Sequence, residues 1–129
     1  RLRYAARLSG PLLDRVDLHL TVPRLTREEL LAAPPGEPSA VVAARVAEAR
    51  RLALERQGCL NADLTGPELR RLAMPRGEGA SLLRDLVDRL RLTGRGFDRL
   101  LRVARTIADL AGADAVGPEH VAEAAAFRV

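Results

Sequence analysis

The sequence predicts a mainly α-helical fold, a bundle of about five helices preceded by one short strand. Apolar residues recur at helical spacing through residues 39–127, whereas only residues 16–22 alternate with the period of two that a strand requires. Hydrophobic residues make up 47% of the 129 residues and aromatic residues only 2%. The core must therefore consist of Leu, Val and Ala, a composition that favours helices packed through aliphatic side chains.

The predicted strand, Val-Asp-Leu-His-Leu-Thr-Val at 16–22, comes first and ends at Pro23. One strand is not stable alone, so we expect its partner strands to lie upstream of this sequence. Residues 1–4 offer neither an initiator Met nor a helix cap, and we expect the chain to be a segment of a longer protein. Thr26 is the predicted N-cap of a short helix that ends at Leu31.

A proline-rich segment, Ala-Pro-Pro-Gly-Glu-Pro at 33–38, is predicted to be a stiff linker. It separates residues 1–32 from a helical domain over 39–129. The helices of this domain are predicted at 39–57, 65–73, 78–92, 93–111 and 118–127. Thr65-Gly-Pro-Glu68 has the pattern of a capping box, and Thr93 is the predicted N-cap of the fourth helix.

Several function classes are excluded by the residue types. All 21 basic residues are arginine, a count that a GC-rich genome accounts for. A P-loop requires lysine at the phosphates, and the chain has neither lysine nor a G-x-x-x-x-G-[KR]-[ST] string. These residues alone therefore cannot hydrolyse a nucleotide by the P-loop route. Cys59 is the only cysteine, which excludes an internal disulfide.

No metal site is predicted, because His19 and His120 lie far apart without ligand spacing. We expect His120 to be solvated in the first turn of the last helix. The net charge of +4 is a mild indication of anionic partners. The apolar runs are far shorter than a membrane span and no signal peptide precedes them, so we expect a cytoplasmic protein without a membrane partner.

Two arginine-bearing segments are candidates for function. In the first, residues 8–18, the Asp14-Arg15 pair lies between an apolar run and the predicted strand. An ordinary helix end, with Arg15 interacting with the last carbonyls and Asp14 solvated, is the structural alternative. In the second, residues 93–110, we expect a buried stripe of Phe97, Leu100, Leu101, Ala104, Ile107 and Ala108.

The second segment places Arg95, Arg99 and Arg102 on one flank of its helix. Arg95 is the second helical residue, where free amides and the positive end of the helix dipole favour an anion. Phosphate recognition requires such a fork of donors beside amides. The alternative is a solvated basic face, on which Asp98–Arg102 and Arg105–Asp109 would form i, i+4 pairs.

Four strings in this order resemble the magnesium-chelatase-like AAA+ ATPases of the ComM (YifB-type) group. They are Arg-Leu-Ser-Gly-Pro-Leu-Leu-Asp-Arg-Val-Asp-Leu-His (7–19), Ala-Pro-Pro-Gly-Glu-Pro-Ser (33–39), Leu-Arg-Val-Ala-Arg-Thr-Ile-Ala-Asp-Leu-Ala-Gly (101–112) and Pro-Glu-His-Val (118–121). The first and third strings are highly specific. The resemblance implies that residues 1–32 are the C-terminal edge of the ATPase core and that the bundle is its helical lid.

The resemblance also implies residue roles. Arg15 matches the arginine finger that reaches the nucleotide of a neighbouring subunit, and Arg95 matches the sensor-2 arginine. Arg99 and Arg102 are further nucleotide-binding candidates, and Asp98, where the family often has His, receives no role. ATP and Mg²⁺ are implied for the full-length protein but not for these residues alone.

The partners that the resemblance implies are the upstream core, the neighbouring subunits of a hexamer, and DNA. The implied function is DNA branch migration during natural transformation. Two alternatives stay open: the motor subunit of a magnesium chelatase, and a non-catalytic helical interaction module with solvated arginines.

Overall fold

The computed structural model of the chain describes residues 9–128 and is mainly helical. This part of the chain contains seven α-helices and one 3-10 turn. They are α1 (Gly10–Leu13), α2 (Arg27–Ala32), α3 (Ser39–Gln57), the 3-10 turn (Asn61–Asp63), α4 (Gly66–Ala73), α5 (Glu78–Arg89), α6 (Gly94–Leu110) and α7 (Pro118–Ala126). The five helices predicted for the bundle are thus confirmed, with ends that differ by at most three residues, whereas no bounds were predicted for α1.

The strand predicted over 16–22 is not formed in the described part of the chain, where these residues are neither helix nor strand. A strand needs a neighbour with which to exchange backbone hydrogen bonds, and residues 9–128 supply none. The backbone N–H of His19 instead donates to the carbonyl of Phe127, just after α7, at 2.8 Å. The segment therefore contacts the bundle, while Leu18, Leu20 and Val22 stay exposed.

Helix α6 is the central element, and it packs against α3, α4, α7 and the 3-10 turn, while α5 packs against α7. The predicted stripe on α6 is confirmed. Leu100, Leu101, Ala104 and Ala108 are buried, and Phe97 and Ile107 are partly buried against the same core. Leu, Val and Ala side chains of the other helices complete this core, as the scarcity of aromatic residues required.

The helix ends follow the sequence signals in most places. Thr26 and Glu29 form a reciprocal capping box at α2, with bonds of 3.2 and 2.7 Å. The Thr93 side chain caps α6, and α3 stops at Gly58, whose φ of 74° is the left-handed conformation that glycine adopts without strain. The capping box predicted at Thr65 is wrong, because the Thr65 side chain makes no capping hydrogen bond.

His120 is buried rather than solvated, which corrects the expectation for the first turn of α7. Its Nδ1 accepts a hydrogen bond from the backbone N–H of Gly117 at 2.9 Å, so the ring proton of the neutral imidazole sits on Nε2. The buried ring thereby satisfies a free amide at the start of the helix. None of the helices described is long and apolar enough to cross a membrane.

Candidate arginine sites at the start of α6

Arg15 lies two residues beyond the end of the short helix α1. Ser9 caps this helix by accepting the Leu12 N–H at 3.3 Å, and Asp14 ends it. The Arg15 backbone N–H donates to the Leu12 carbonyl at 3.1 Å. Its side chain is exposed and makes no hydrogen bond or ion pair with any residue of 9–128. The guanidinium therefore does not cap α1, which was the structural alternative for this residue.

Arg95 is the second residue of α6, one position after Gly94. Thr93 Oγ1 accepts the N–H of Gly96 at 3.0 Å, which satisfies one of the free amides of the first turn. The Arg95 side chain is exposed and, like that of Arg15, has no bonded partner within the described chain. A guanidinium at this position can add donors to the partial positive charge of the helix start.

The other arginines of α6 are engaged within the bundle. Arg99 forms an ion pair with Asp17, and the Nε of Arg102 donates to the Leu64 carbonyl at 2.8 Å. The Asp98–Arg102 pair that a solvated basic face would form is absent from the described residues, where Asp98 lies 3.6 Å from the Nη2 of Arg70 instead. Among the four arginines of α6, only Arg95 is without a partner in residues 9–128.

One carboxylate joins the two candidate segments. Asp14 Oδ2 accepts from the hydroxyl of Thr93 at 2.8 Å, and Asp14 Oδ1 accepts from Nη2 of Arg128 at 3.3 Å. The other end of the same guanidinium, Nη1, donates to the Val16 carbonyl at 3.1 Å. We call Asp14, Thr93 and Arg128 the Asp14 cluster. It places Arg15 next to a residue that is bonded directly to the N-cap of the Arg95 helix.

Sequence reasoning missed the Asp14 cluster. It treated Asp14 as a solvated partner in an ordinary helix end and gave Arg128 no role. Asp14 and Thr93 are 79 positions apart, and Asp14 and Arg128 are 114 positions apart, so no local spacing rule could pair them. The available signal was the predicted N-cap at Thr93, whose hydroxyl has a proton left to donate after accepting an amide.

A second charged cluster lies on the opposite half of α6 and holds the loop before α7. The predicted Arg105–Asp109 pair is present at 3.0 Å, but it is buried rather than solvated, with both side chains at most 2% exposed. Arg56 donates to both carboxylate oxygens of Asp109, at 2.8 and 3.0 Å, and Asn61 donates to Oδ2 at 2.8 Å. Arg105 also donates to the Ala113 carbonyl at 2.8 Å.

Burial and charge act on the buried pair in opposite directions. Burial alone raises the pKa of Asp109, but hydrogen bonds from Arg56 and Asn61 and the charge of Arg105 outweigh it, so its pKa lies below the ordinary value. Burial lowers the pKa of Arg105, and the nearby charge of Asp109 opposes that effect. The Nε of Arg105 has no partner in the described chain. Apart from that atom, the polar groups of the cluster bond to one another within the bundle, so we interpret it as structural.

The chain belongs to the magnesium chelatase family. The family of the C-terminal part of magnesium chelatase subunit ChlI matches residues 36–128, and the family of magnesium chelatase subunit ChlI matches residues 1–30. The resemblance inferred from the four strings is therefore confirmed.

The relatives are bacterial proteins about four times longer. YifB of Escherichia coli is 44% identical over 98% of this chain, and Competence protein ComM of Haemophilus influenzae is 40% identical over the same share. An uncharacterized protein of Mycobacterium tuberculosis is 46% identical, again over 98% of the chain. The chain spans about a quarter of the length of these relatives, 25% of YifB and ComM and 26% of the mycobacterial protein.

Proposed function

We propose that the chain is the C-terminal part of an ATP-driven AAA+ motor, in which Arg15 is an arginine finger and Arg95 a sensor-2 arginine. Arg15 acts on the nucleotide of a neighbouring subunit and Arg95 on the nucleotide of its own. Each places a positive charge against the phosphate oxygens, where charge redistributes as the γ-phosphoryl group transfers. The full-length protein supplies the P-loop that holds ATP and Mg²⁺.

The contrast among the arginines carries this proposal. Arg99, Arg102 and Arg105 use their donors on Asp17, on the Leu64 carbonyl and on Asp109, respectively. The side-chain donors of Arg95 and Arg15 are unengaged by the described residues, and both residues lie on segments that the Asp14 cluster holds together. A free, exposed guanidinium on a fixed backbone suits a charge that must meet a ligand from outside. Arg99 and Arg102 remain secondary candidates for nucleotide contact.

The proposal divides the chain into two parts. Residues 1–32 complete the ATPase core, residues 39–129 form the lid, and residues 33–38 link the two. The two family matches, which end at residue 30 and begin at residue 36, support this division. Apolar side chains of the first part are exposed in the described chain, namely Leu18, Leu20, Val22, Leu25, Leu30 and Leu31. We propose that the upstream core covers them and that residues 16–22 pair with its sheet.

For the full-length protein we propose a hexamer that migrates DNA branches during natural transformation, in the cytoplasm. The support is the relative named Competence protein ComM and the shared family. An arginine that works in trans requires a neighbouring subunit, so the assembly is part of the same proposal. No residue of this chain is assigned to DNA.

The test is ATP hydrolysis by the full-length protein, with and without branched DNA, for Arg15→Ala and Arg95→Ala. Removal of an arginine finger lowers kcat by about 10³–10⁵-fold in other phosphoryl-transfer proteins, and we expect a loss of this order for Arg15→Ala. Arg95→Ala should raise KM for ATP as well as lower kcat. Arg89→Ala is the matched control, because Arg89 is also exposed and unpartnered among residues 9–128.

Mixed assemblies separate the two roles. Subunits carrying Arg15→Ala should regain hydrolysis when a neighbour contributes an intact arginine, whereas Arg95→Ala subunits should not. Unchanged kcat for both single variants would refute the proposal and favour a helical interaction module.

The second candidate function is the motor subunit of a magnesium chelatase, which the description of the matched family favours. The same two arginines would serve ATP hydrolysis there. Stimulation of hydrolysis by porphyrin-binding partner subunits, and not by branched DNA, would select this candidate. Neighbouring tetrapyrrole genes would point the same way.

A further inference from the structure

We infer that Asp14 is a positioning residue that couples the two nucleotide sites touched by one subunit. The inference rests on the proposed function, since it gives Arg15 and Arg95 their roles. Through its bonds to Thr93 and Arg128, Asp14 fixes the backbone that carries Arg15 to the helix start that carries Arg95. A shift of α6 when Arg95 meets its own nucleotide is thus passed to the arginine that enters the neighbouring site.

The bonds of the cluster form a continuous chain of donors and acceptors. The Gly96 N–H donates to Thr93 Oγ1, whose own proton goes to Asp14, and Arg128 donates to the other oxygen of that carboxylate. Such chains polarise one another and strengthen each bond. The Arg128 side chain is 8% exposed and that of Asp14 is 30% exposed, so solvent screens these charges only in part.

The cluster is packed tightly against the first turn of α6. A Cβ at position 96 would lie 3.2 Å from Arg128 Nη2, 3.4 Å from Thr93 Oγ1 and 3.5 Å from Asp14 Oδ1. The contact with Arg128 Nη2 is the one of the three that is shorter than an ordinary van der Waals contact, so the guanidinium lies directly against the helix. A displacement of the first turn of α6 would therefore press on the groups that hold Asp14.

A second ion pair ties the same segment to α6 one turn further along. Asp17 pairs with Arg99, so Asp14 and Asp17 hold the backbone on both sides of Arg15. The side chain of Arg15 remains free while its Cα is fixed at two points. A side chain that must contact the nucleotide of a neighbouring subunit requires such a fixed backbone, since an error of about 1 Å in the position of a reacting group can cost about 10²-fold in rate.

The experiment is a double-mutant cycle on kcat in the full-length protein, measured by single-turnover ATP hydrolysis so that slow variants stay measurable. We expect Asp14→Ala to lower kcat by about 10–100-fold with little change in KM, because Arg15 is displaced rather than removed. The Hill coefficient for ATP should fall towards one. In an Arg15→Ala background, Asp14→Ala should have no further effect, because the two residues act as a unit.

Conservative variants and a control separate positioning from folding. Thr93→Ser keeps the hydroxyl and should retain the wild-type kcat, and Asp14→Asn, which keeps one oxygen for Thr93, should recover most of it. Asp85→Ala, at an exposed aspartate of α5 without a partner in residues 9–128, should leave kcat and the Hill coefficient unchanged. Circular dichroism of each variant confirms that it is folded.

The outcomes distinguish this inference from the proposal beneath it. Full kcat in Arg15→Ala would overturn both. A large loss in Arg15→Ala with an unchanged kcat and Hill coefficient in folded Asp14→Ala would overturn the coupling alone. The coupling is also overturned if Asp14→Ala lowers kcat by the same factor with and without Arg15, because that result describes a general structural defect.

Discussion

Replacing Asp109 by asparagine removes one negative charge from the buried cluster and exchanges one acceptor oxygen for an amide that donates. Asp109 accepts four hydrogen bonds, from Arg56 at 2.8 and 3.0 Å, from Asn61 at 2.8 Å and from Arg105 at 3.0 Å. Each of the two carboxylate oxygens accepts two of these hydrogen bonds. Whichever way the new amide turns, its NH₂ faces two donors that lose their acceptor.

The magnitude follows from which partners can find water. Hydrogen bonds to charged groups contribute about 1.5–3 kcal/mol each, and breaking a buried ion pair from one side costs about 3–5 kcal/mol. Arg56 is 24% exposed and can be rehydrated, whereas Arg105 is 2% exposed and cannot. The amide will therefore turn towards Arg56 and Asn61, and we expect a loss of about 3 kcal/mol, the lower end of that range.

The assay is urea unfolding of the chain followed by circular dichroism at the helix band. A domain is typically stable by about 5–15 kcal/mol, so a loss of 3 kcal/mol moves the midpoint clearly without preventing folding. Asp85→Asn is the matched control, an exposed aspartate for which we expect a change within about 0.5 kcal/mol. If Asp109→Asn and Asp85→Asn give the same free energy of unfolding, the claim that the cluster supports the bundle is refuted.

Three further predictions concern the free energy of unfolding, measured in the same way. The pKa of Asp109 is lower in the folded chain than its unfolded value of about 3.9, so its contribution to the free energy of unfolding is complete above that pH and is lost as the pH falls through the folded value. The free energy of unfolding should therefore fall less steeply with acid in Asp109→Asn, and equal slopes would contradict this. Arg91→Gly should stabilise the chain by up to about 1 kcal/mol, because Arg91 holds a φ of 48°. Arg84→Gly, at an exposed position inside α5, should destabilise it by about as much, and the same sign for both would refute the strain. Thr93→Ala should cost about 0.5–2 kcal/mol through the lost cap, while Thr65→Ala, where no cap bond exists, should be nearly neutral; equal losses would show that the hydroxyl bond is irrelevant.

The helices were predictable because their signals are local. The spacing of Leu100, Leu101, Ala104 and Ala108 defines the buried face of α6. The Thr93 cap marks the start of the helix, and Gly112, whose φ is 69°, follows its end. These signals depend on neighbours three or four residues away, which the sequence displays directly. Family resemblance was recoverable for a related reason, since its motifs are contiguous strings.

The predictions that failed depended on how the helices pack, and two of the three involve partners distant in the chain. The period-two pattern at 16–22 describes a surface that needs a sheet, and the described residues offer a helix end instead. His120 carries a polar atom that local reasoning placed in water, but the nearby Gly117 amide satisfies it inside the core. The Asp14 cluster unites residues from both ends of the described chain, and the pairing follows only from how the helices pack.

The long separation of Asp14 and Arg128 in the sequence affects the order in which contacts form during synthesis. Asp14 leaves the ribosome more than a hundred residues before Arg128, and His19 must likewise await the carbonyl of Phe127. The Arg15 segment can bond to Thr93 and Arg99 once α6 has been made, but its contacts with Phe127 and Arg128 form only after α7. The segment that carries Arg15 therefore gains its full set of contacts with the bundle only after α7 has been synthesised.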